Sequence, residues 1–393
     1  MRYRQAVVLL LALAHPAAAD EAGARRLELV VRETAGIRRF GYPVSVVLPP
    51  DAAARAGDRF RLLEGGKPVA AQFRRVEGKR GQAAAVYLDF NVSHGPLEKH
   101  TYRVEYGPGV EPAPEPKGGI TVKVGEDELT VTHGRELEFV LPRNRPGLLR
   151  QVRAGRTEYL RAGSPGLLLR DKDGKEHRAG AGEARVTRSG PLAAAVRFDS
   201  GEALVGGKVV SAVELEFPRS KSWVRVTWTV DDPKGDVAAL GAELNLAVQG
   251  PRTLVDFGAG SYVYAALRPG ESAVLRAGPP WATLVGRAGA LRPYVVAPAE
   301  GRTPPAEGWA HVMDRERCTA VAVADFAAGP GAEIAADADG RLRLWRSFAP
   351  GAGPKRLAFW LHFVGMPVQV GAATSPQAML APLRVEVRAD AKR

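Results

Sequence analysis

Apolar and polar side chains alternate along most of this 393-residue chain, in short runs that stop at Gly, Pro, Asp or Asn. A period of two fits extended backbone, where successive side chains leave on opposite sides, and does not fit a helix. The 44 Gly and 30 Pro therefore punctuate strands rather than mark disorder. Asp171-Lys172-Asp173-Gly174, Asp231-Asp232-Pro233-Lys234-Gly235 and Asp337-Ala338-Asp339-Gly340 read as turns. Helical signal is confined to Asp51–Gly57, with Asp51 as N-cap, and to Thr374–Leu380. The chain is expected to be all-β.

One composition shift divides it. Pro108 to Gly119 is proline-rich and has no apolar face, so a stiff linker is expected over residues 111–118. Residues 20–110 carry candidate strands at Leu27–Glu33, Tyr42–Leu48, Phe60–Glu64, Ala70–Glu77, Ala83–Phe90 and His100–Tyr106. So many strands in so small a unit suggest a compact β-barrel. Residues 119–393 read as strands nearly throughout and suit a large antiparallel β-sandwich.

Residues 1–19 have the pattern of an export leader. Arg2 and Arg4 precede the uncharged run Ala6–Ala14, and Ala17-Ala18-Ala19 then stands before Asp20. The run is shorter than the roughly 20 residues that span a bilayer. A cleaved signal peptide, a periplasmic or extracellular mature chain and no transmembrane segment after cleavage are expected. Cys318 is the only cysteine, which rules out an intrachain disulfide, and its place before Thr319–Val323 reads as packing. The net charge of +12 comes from singly scattered arginines, without a basic block or nucleic-acid motif. Nucleic acid is not an expected partner; an acidic polysaccharide suits this charge better.

Alternation also sorts faces. In Ser211–Phe217 the apolar set Val213, Leu215 and Phe217 opposes Glu214 and Glu216. Val224, Val226, Trp228 and Val230 oppose Trp223, Arg225, Thr227 and Thr229, and Leu244 and Leu246 oppose Glu243 and Asn245. If these strands are neighbours, Glu214, Glu216, Trp223, Arg225, Glu243 and Asn245 form one polar face with an aromatic on it. A second face is expected near the C-terminus from Arg341, Arg343, Trp345, Trp360 and His362. Aromatics beside Arg, Asn and carboxylates can stack on a sugar ring and bond its hydroxyls. The same pattern also describes the solvated side of an antiparallel sheet.

Motifs for other chemistries do not fit. Gly201–Lys208 has the wrong spacing for a phosphate loop, and Ala162–Gly166 is no nucleophile elbow. His94, His100, His133, His177, His311 and His362 lack metal-ligand spacing, so no metal or cofactor is expected. His311, Asp314, Arg315 and Glu316 could do acid–base work, and equally read as a charged hairpin turn.

Arg39-Phe40-Gly41-Tyr42-Pro43-Val44-Ser45-Val46 resembles the opening of the RIFT-type barrel in exo-rhamnogalacturonan-lyase-like (YetA-like) proteins. Ser189–Val196, Ser222–Val226, Cys318–Phe326 and Asp339–Leu342 resemble the central β-sandwich of that family. Members that are lyases continue into an (α/α) toroid, which this chain lacks, so no catalytic residue is carried over. The resemblance implies an accessory protein that binds or organises polysaccharide, perhaps pectic or otherwise acidic, beside a separate toroid-type enzyme. A polysaccharide lyase or hydrolase with its site on the sandwich, through Glu214, Glu243 or His311, and an envelope assembly protein remain open.

Overall fold

The computed structural model describes residues 24–389 apart from 50–56, 78–82, 114–115, 117, 135–136, 145–147, 181, 205–206, 259–261, 279–280, 287–290, 294–305, 329–330 and 369–374. The expected leader at 1–19 and most of Asp51–Gly57 lie outside the described residues. The chain is all-β, built from antiparallel sheets with one short helix, Ser375–Leu380. That helix falls within the expected Thr374–Leu380. No helix among the described residues is long and apolar enough to cross a membrane.

The largest sheet has nine strands. In spatial order they are Ala184–Arg188, Ala193–Leu204, Gly207–Pro218, Trp223–Asp232, Gly353–Gly365, Arg317–Val323, Trp309–Met313, Thr253–Gly258 and Tyr262–Leu267. An eight-stranded sheet runs Glu176–Arg178, Gly166–Asp171, Val237–Asn245, Arg341–Ser347, Gly331–Asp337, Ser272–Arg276, Ala282–Val285 and Leu291–Pro293. A five-stranded sheet spans Ile120–Val124 to Thr157–Glu158. All three feed one core, in which Val213, Leu215, Val224, Val226, Trp228 and Phe359 meet Leu240, Leu244, Leu344 and Phe139. These are the inward sets that alternation picks out. Each such side chain stabilises by about 1.5–3 kcal/mol on burial.

The turns form as their residues dictate. Asp337 Oδ1 accepts the amides of Asp339 and Arg341 at 3.0 and 2.8 Å, and Gly340 takes φ +83° against Leu246 and Val248. Asp171 Oδ1 does the same for Asp173 and Lys175. Asp314 Oδ1 accepts from the amides of Glu316 and Arg317, so the charged segment after His311 is a hairpin turn.

The N-terminal unit departs from expectation in two ways. It is not a closed barrel: a five-stranded sheet and the three-stranded sheet Arg39–Leu48, Ala83–His94, Ala71–Glu77 face each other without a closing ladder. Their open side rests on the outer face of the nine-stranded sheet, and Trp223, Trp309 and Ala322 share a core with Leu29, Leu62, Leu88 and Tyr102. A neighbouring sheet fills the space that closure would otherwise have to seal. Second, residues 119–393 are not all sandwich. Arg384–Ala389 pairs antiparallel with Arg25–Arg32 as an edge strand of the N-terminal sheet, and Ala378, Met379 and Leu383 join the same core.

Specific bonds fix the junction. Arg39 pairs with Glu33 at 2.8 Å, both sealed from solvent, and donates to the carbonyls of Ala378 and Ala381. Gln72 Oε1 accepts from the amides of Leu192 and Ala193, and its side chain fills the space beside Gly190 that a Cβ would need.

Candidate functional site

A cavity of about 250 Å³ opens at this junction. One wall comes from Arg39–Leu48 and Ala83–His94, through Tyr42, Ser45, Asp89 and Asn91; the other is the outer face of the nine-stranded sheet. Leu383 and Val385 of the returning C-terminal segment complete it.

The sandwich wall is organised by register. Arg188, Ala195, Glu216, Arg225, Trp360, Ala322 and Trp309 stand opposite one another in a single row across seven strands. The small side chain of Ala195 leaves room for Arg188 to reach Glu216, at 2.8 Å from Nη2. Arg188 Nη1 reaches the other unit and donates to Asp89 at 2.9 Å. Arg225 Nη1 donates to Glu216 at 3.2 Å, and its guanidinium lies 5.3 Å from the ring centroid of Trp360. The result is an alternating chain, Asp89–Arg188–Glu216–Arg225, ending on an aromatic.

A second row runs beside it: Trp223, His362, Ala320, His311 and Asp256. Trp223 packs edge-on against both Tyr42 and His362, with centroids 5.9 and 5.8 Å away. His311 Nδ1 lies 2.7 Å from Asp256 Oδ1.

Burial sets the electrostatics. It raises the Asp89 carboxyl above the ordinary aspartate value, against the pull of Arg188 and the Ser45 hydroxyl. Glu214 is raised by burial and by Glu216, and the Lys221 amine is lowered by burial. His362 is pushed down to about 3 by burial, with Lys221 and His311 adding to the effect.

The expected site residues divide differently from the expectation. Glu216, Trp223, Arg225 and Trp360 line the cavity, Glu214 sits two residues before Glu216 in its strand, and His362 lies beneath the junction. Glu243 and Asn245 do not join them, because Val237–Asn245 belongs to the eight-stranded sheet. Arg343 and Trp345 are in that sheet as well, whereas Trp360 and His362 belong to the nine-stranded one. The two expected faces thus exchange members: sequence neighbours in a sandwich often cross to the opposite sheet, and alternation does not record the crossing. On the outer face of the eight-stranded sheet Glu243 is occupied by Arg343, whose Nε donates at 2.7 Å. Trp345 is 5% exposed and covered by Arg170, 4.3 Å from its ring centroid, so it offers no stacking surface. Trp223, at 4% exposed, contributes through an edge rather than a free face.

Sequence reasoning missed Asp89, Arg188, Ser45 and Tyr42. Each is a polar or aromatic residue on a strand, but which strands face each other across the linker is set by tertiary packing. Among the described residues no group of three or more His, Cys, Asp or Glu is arranged to hold a metal ion.

No protein-family model matches the chain, and no curated protein matches it. Solved structures do. An α-mannosidase from Enterococcus faecalis V583 shares 11% identity with a TM-score of 0.53, over 93% of this chain and 46% of that one. A glycosyl hydrolase family 38 protein from Enterococcus faecalis shares 10% identity with a TM-score of 0.51, over 93% of this chain and 48% of that one. The likeness is one of fold. This chain spans about half the length of the solved structures it matches.

Proposed function

We propose that this is an exported, carbohydrate-associated protein that seats a sugar residue in the cavity between its two β units. The observation that carries the reading is the row Arg188–Glu216–Arg225–Trp360 facing Asp89 across one enclosed space. Its charged groups can bond hydroxyls while Trp360 and Tyr42 offer apolar surface to the ring. At about 250 Å³ the cavity falls below the ~300–1,000 Å³ of drug-sized sites, which suits one sugar unit of a longer glycan. The matched structures are described as carbohydrate enzymes, which agrees with this reading. The resemblance to exo-rhamnogalacturonan-lyase-like proteins and the basic charge favour an acidic, pectic-type polysaccharide.

The test is a glycan array and affinity electrophoresis in pectic polysaccharides, using the chain from Asp20 onward. Retention that disappears in Trp360→Ala supports the reading, and absence of retention on every glycan sinks it. A second reading, polysaccharide cleavage, is favoured by two carboxylates, Asp89 and Glu216, lining one cavity. It predicts release of reducing or unsaturated sugar that Asp89→Asn and Glu216→Gln each abolish.

A further inference from the structure

The alternating chain of charges has unequal ends. Asp89 is 3% exposed and lines the cavity. Its Oδ1 accepts from Arg188, whereas its Oδ2 is sealed from solvent and has no protein donor. Ser45, directly opposite on the neighbouring strand, leaves that oxygen without a bond. At the far end Arg225 gives one Nη1 bond to Glu216, and its Nε has no acceptor. The two inner groups, Arg188 and Glu216, are each bonded on both sides.

A buried carboxylate oxygen without a donor is costly, and a ligand that supplies the donor recovers that cost. We infer, on the reading of the cavity as a sugar site, that Asp89 and Arg225 determine which sugar binds. Asp89 Oδ2 accepts from a ligand hydroxyl at one end, and Arg225 donates to a ligand oxygen at the other. The ligand class follows: a sugar unit with a free hydroxyl toward Asp89, and any carboxylate it carries turned toward Arg225. A carboxylate at the Asp89 end would set two like charges together in a buried place, and a methyl ether there would offer no donor.

The exchange Asp89→Asn has a directional consequence. Arg188 requires an acceptor, so the amide oxygen keeps its side and the NH2 group takes the place of Oδ2. The site then offers a donor where it offered an acceptor.

The experiment is calorimetric titration of the chain from Asp20 onward with the methyl glycosides of galactose, mannose, glucose, rhamnose and galacturonic acid. The mono-O-methyl derivatives of whichever binds then follow. In the wild type, methylation at one hydroxyl is expected to weaken binding by about tenfold or more, the size of one lost charge-assisted hydrogen bond. In Asp89→Asn that same derivative is expected to bind at least as well as its parent. If the variant keeps the wild-type order of derivatives, the inference fails and the sugar reading stands. If no parent glycoside binds the wild type, both fail. Should Asp89→Asn not fold, the wild-type series decides alone, and equal tolerance of methylation at every position overturns the inference.

Discussion

Trp223 and His362 stand directly opposite on adjacent strands, with ring centroids 5.8 Å apart and planes at 77°, and each is 4% exposed. An aromatic–imidazole pair sealed on the outer side of a sheet requires a cover, which the N-terminal unit and the helix Ser375–Leu380 supply. The junction is therefore a second core, and its polar members are held neutral or paired.

Acid should weaken this fold in a defined window. Burial holds His362 at about 3 and His133 at about 4, both below the ordinary 6.5. Their folded-state values are depressed, so the neutral forms cost nothing above pH 6.5. As pH falls from 6.5 toward 4 the unfolded chain takes up protons that the folded chain refuses. The expected loss is about 1.4 kcal/mol per pH unit per histidine, read from urea midpoints between pH 7 and 5. His362→Phe should make that slope shallower.

The Glu33–Arg39 pair should hold against acid far longer. Burial would raise Glu33, but Arg39 and the amides of Leu97 and Ala35 hold it at about 2. Its stabilisation is complete above the ordinary glutamate value of 4.5 and disappears only as pH falls toward 2. Glu33→Gln strands a buried guanidinium and should cost about 3–5 kcal/mol in urea denaturation. Arg39→Met should also speed amide exchange across Arg384–Ala389, because Arg39 holds the carbonyls just before that strand.

Two tryptophans should separate stability from binding. Trp228 is fully buried in the sandwich core, so Trp228→Ala should cost about 3–5 kcal/mol. Trp360 is half-buried on the cavity wall, and Trp360→Ala should cost less than half as much while removing sugar retention.

Sugar affinity should fall on mild acidification. Asp89 accepts only while ionised, and burial has raised its proton affinity. Affinity measured between pH 7 and pH 4 should therefore drop at a higher pH than an ordinary aspartate would give. Asp89→Asn should remove that dependence.

Alternation made the inward faces of the sandwich readable, because Val224, Val226, Trp228 and Val230 have no other way to leave water. It also marked Glu216, Arg225 and Trp360 as sharing a side with chemistry on it. It could not show that Asn245 and Arg225 sit in different sheets, since a crossing leaves the period unchanged. Nor could it show that Arg384–Ala389 pairs with Arg25–Arg32 at the other end of the chain. Asp89 and Arg188 were hidden for the same reason: the bond between them exists only once two units dock.

The account places sugar at the junction and not on the outer face of the eight-stranded sheet. Saturation-transfer NMR with a mixture of neutral and acidic monosaccharides tests this on the wild type, Trp360→Ala and Arg343→Gln. The predicted result is transfer to sugar in the wild type and in Arg343→Gln, and none in Trp360→Ala. Transfer that survives in Trp360→Ala but is lost in Arg343→Gln would contradict it.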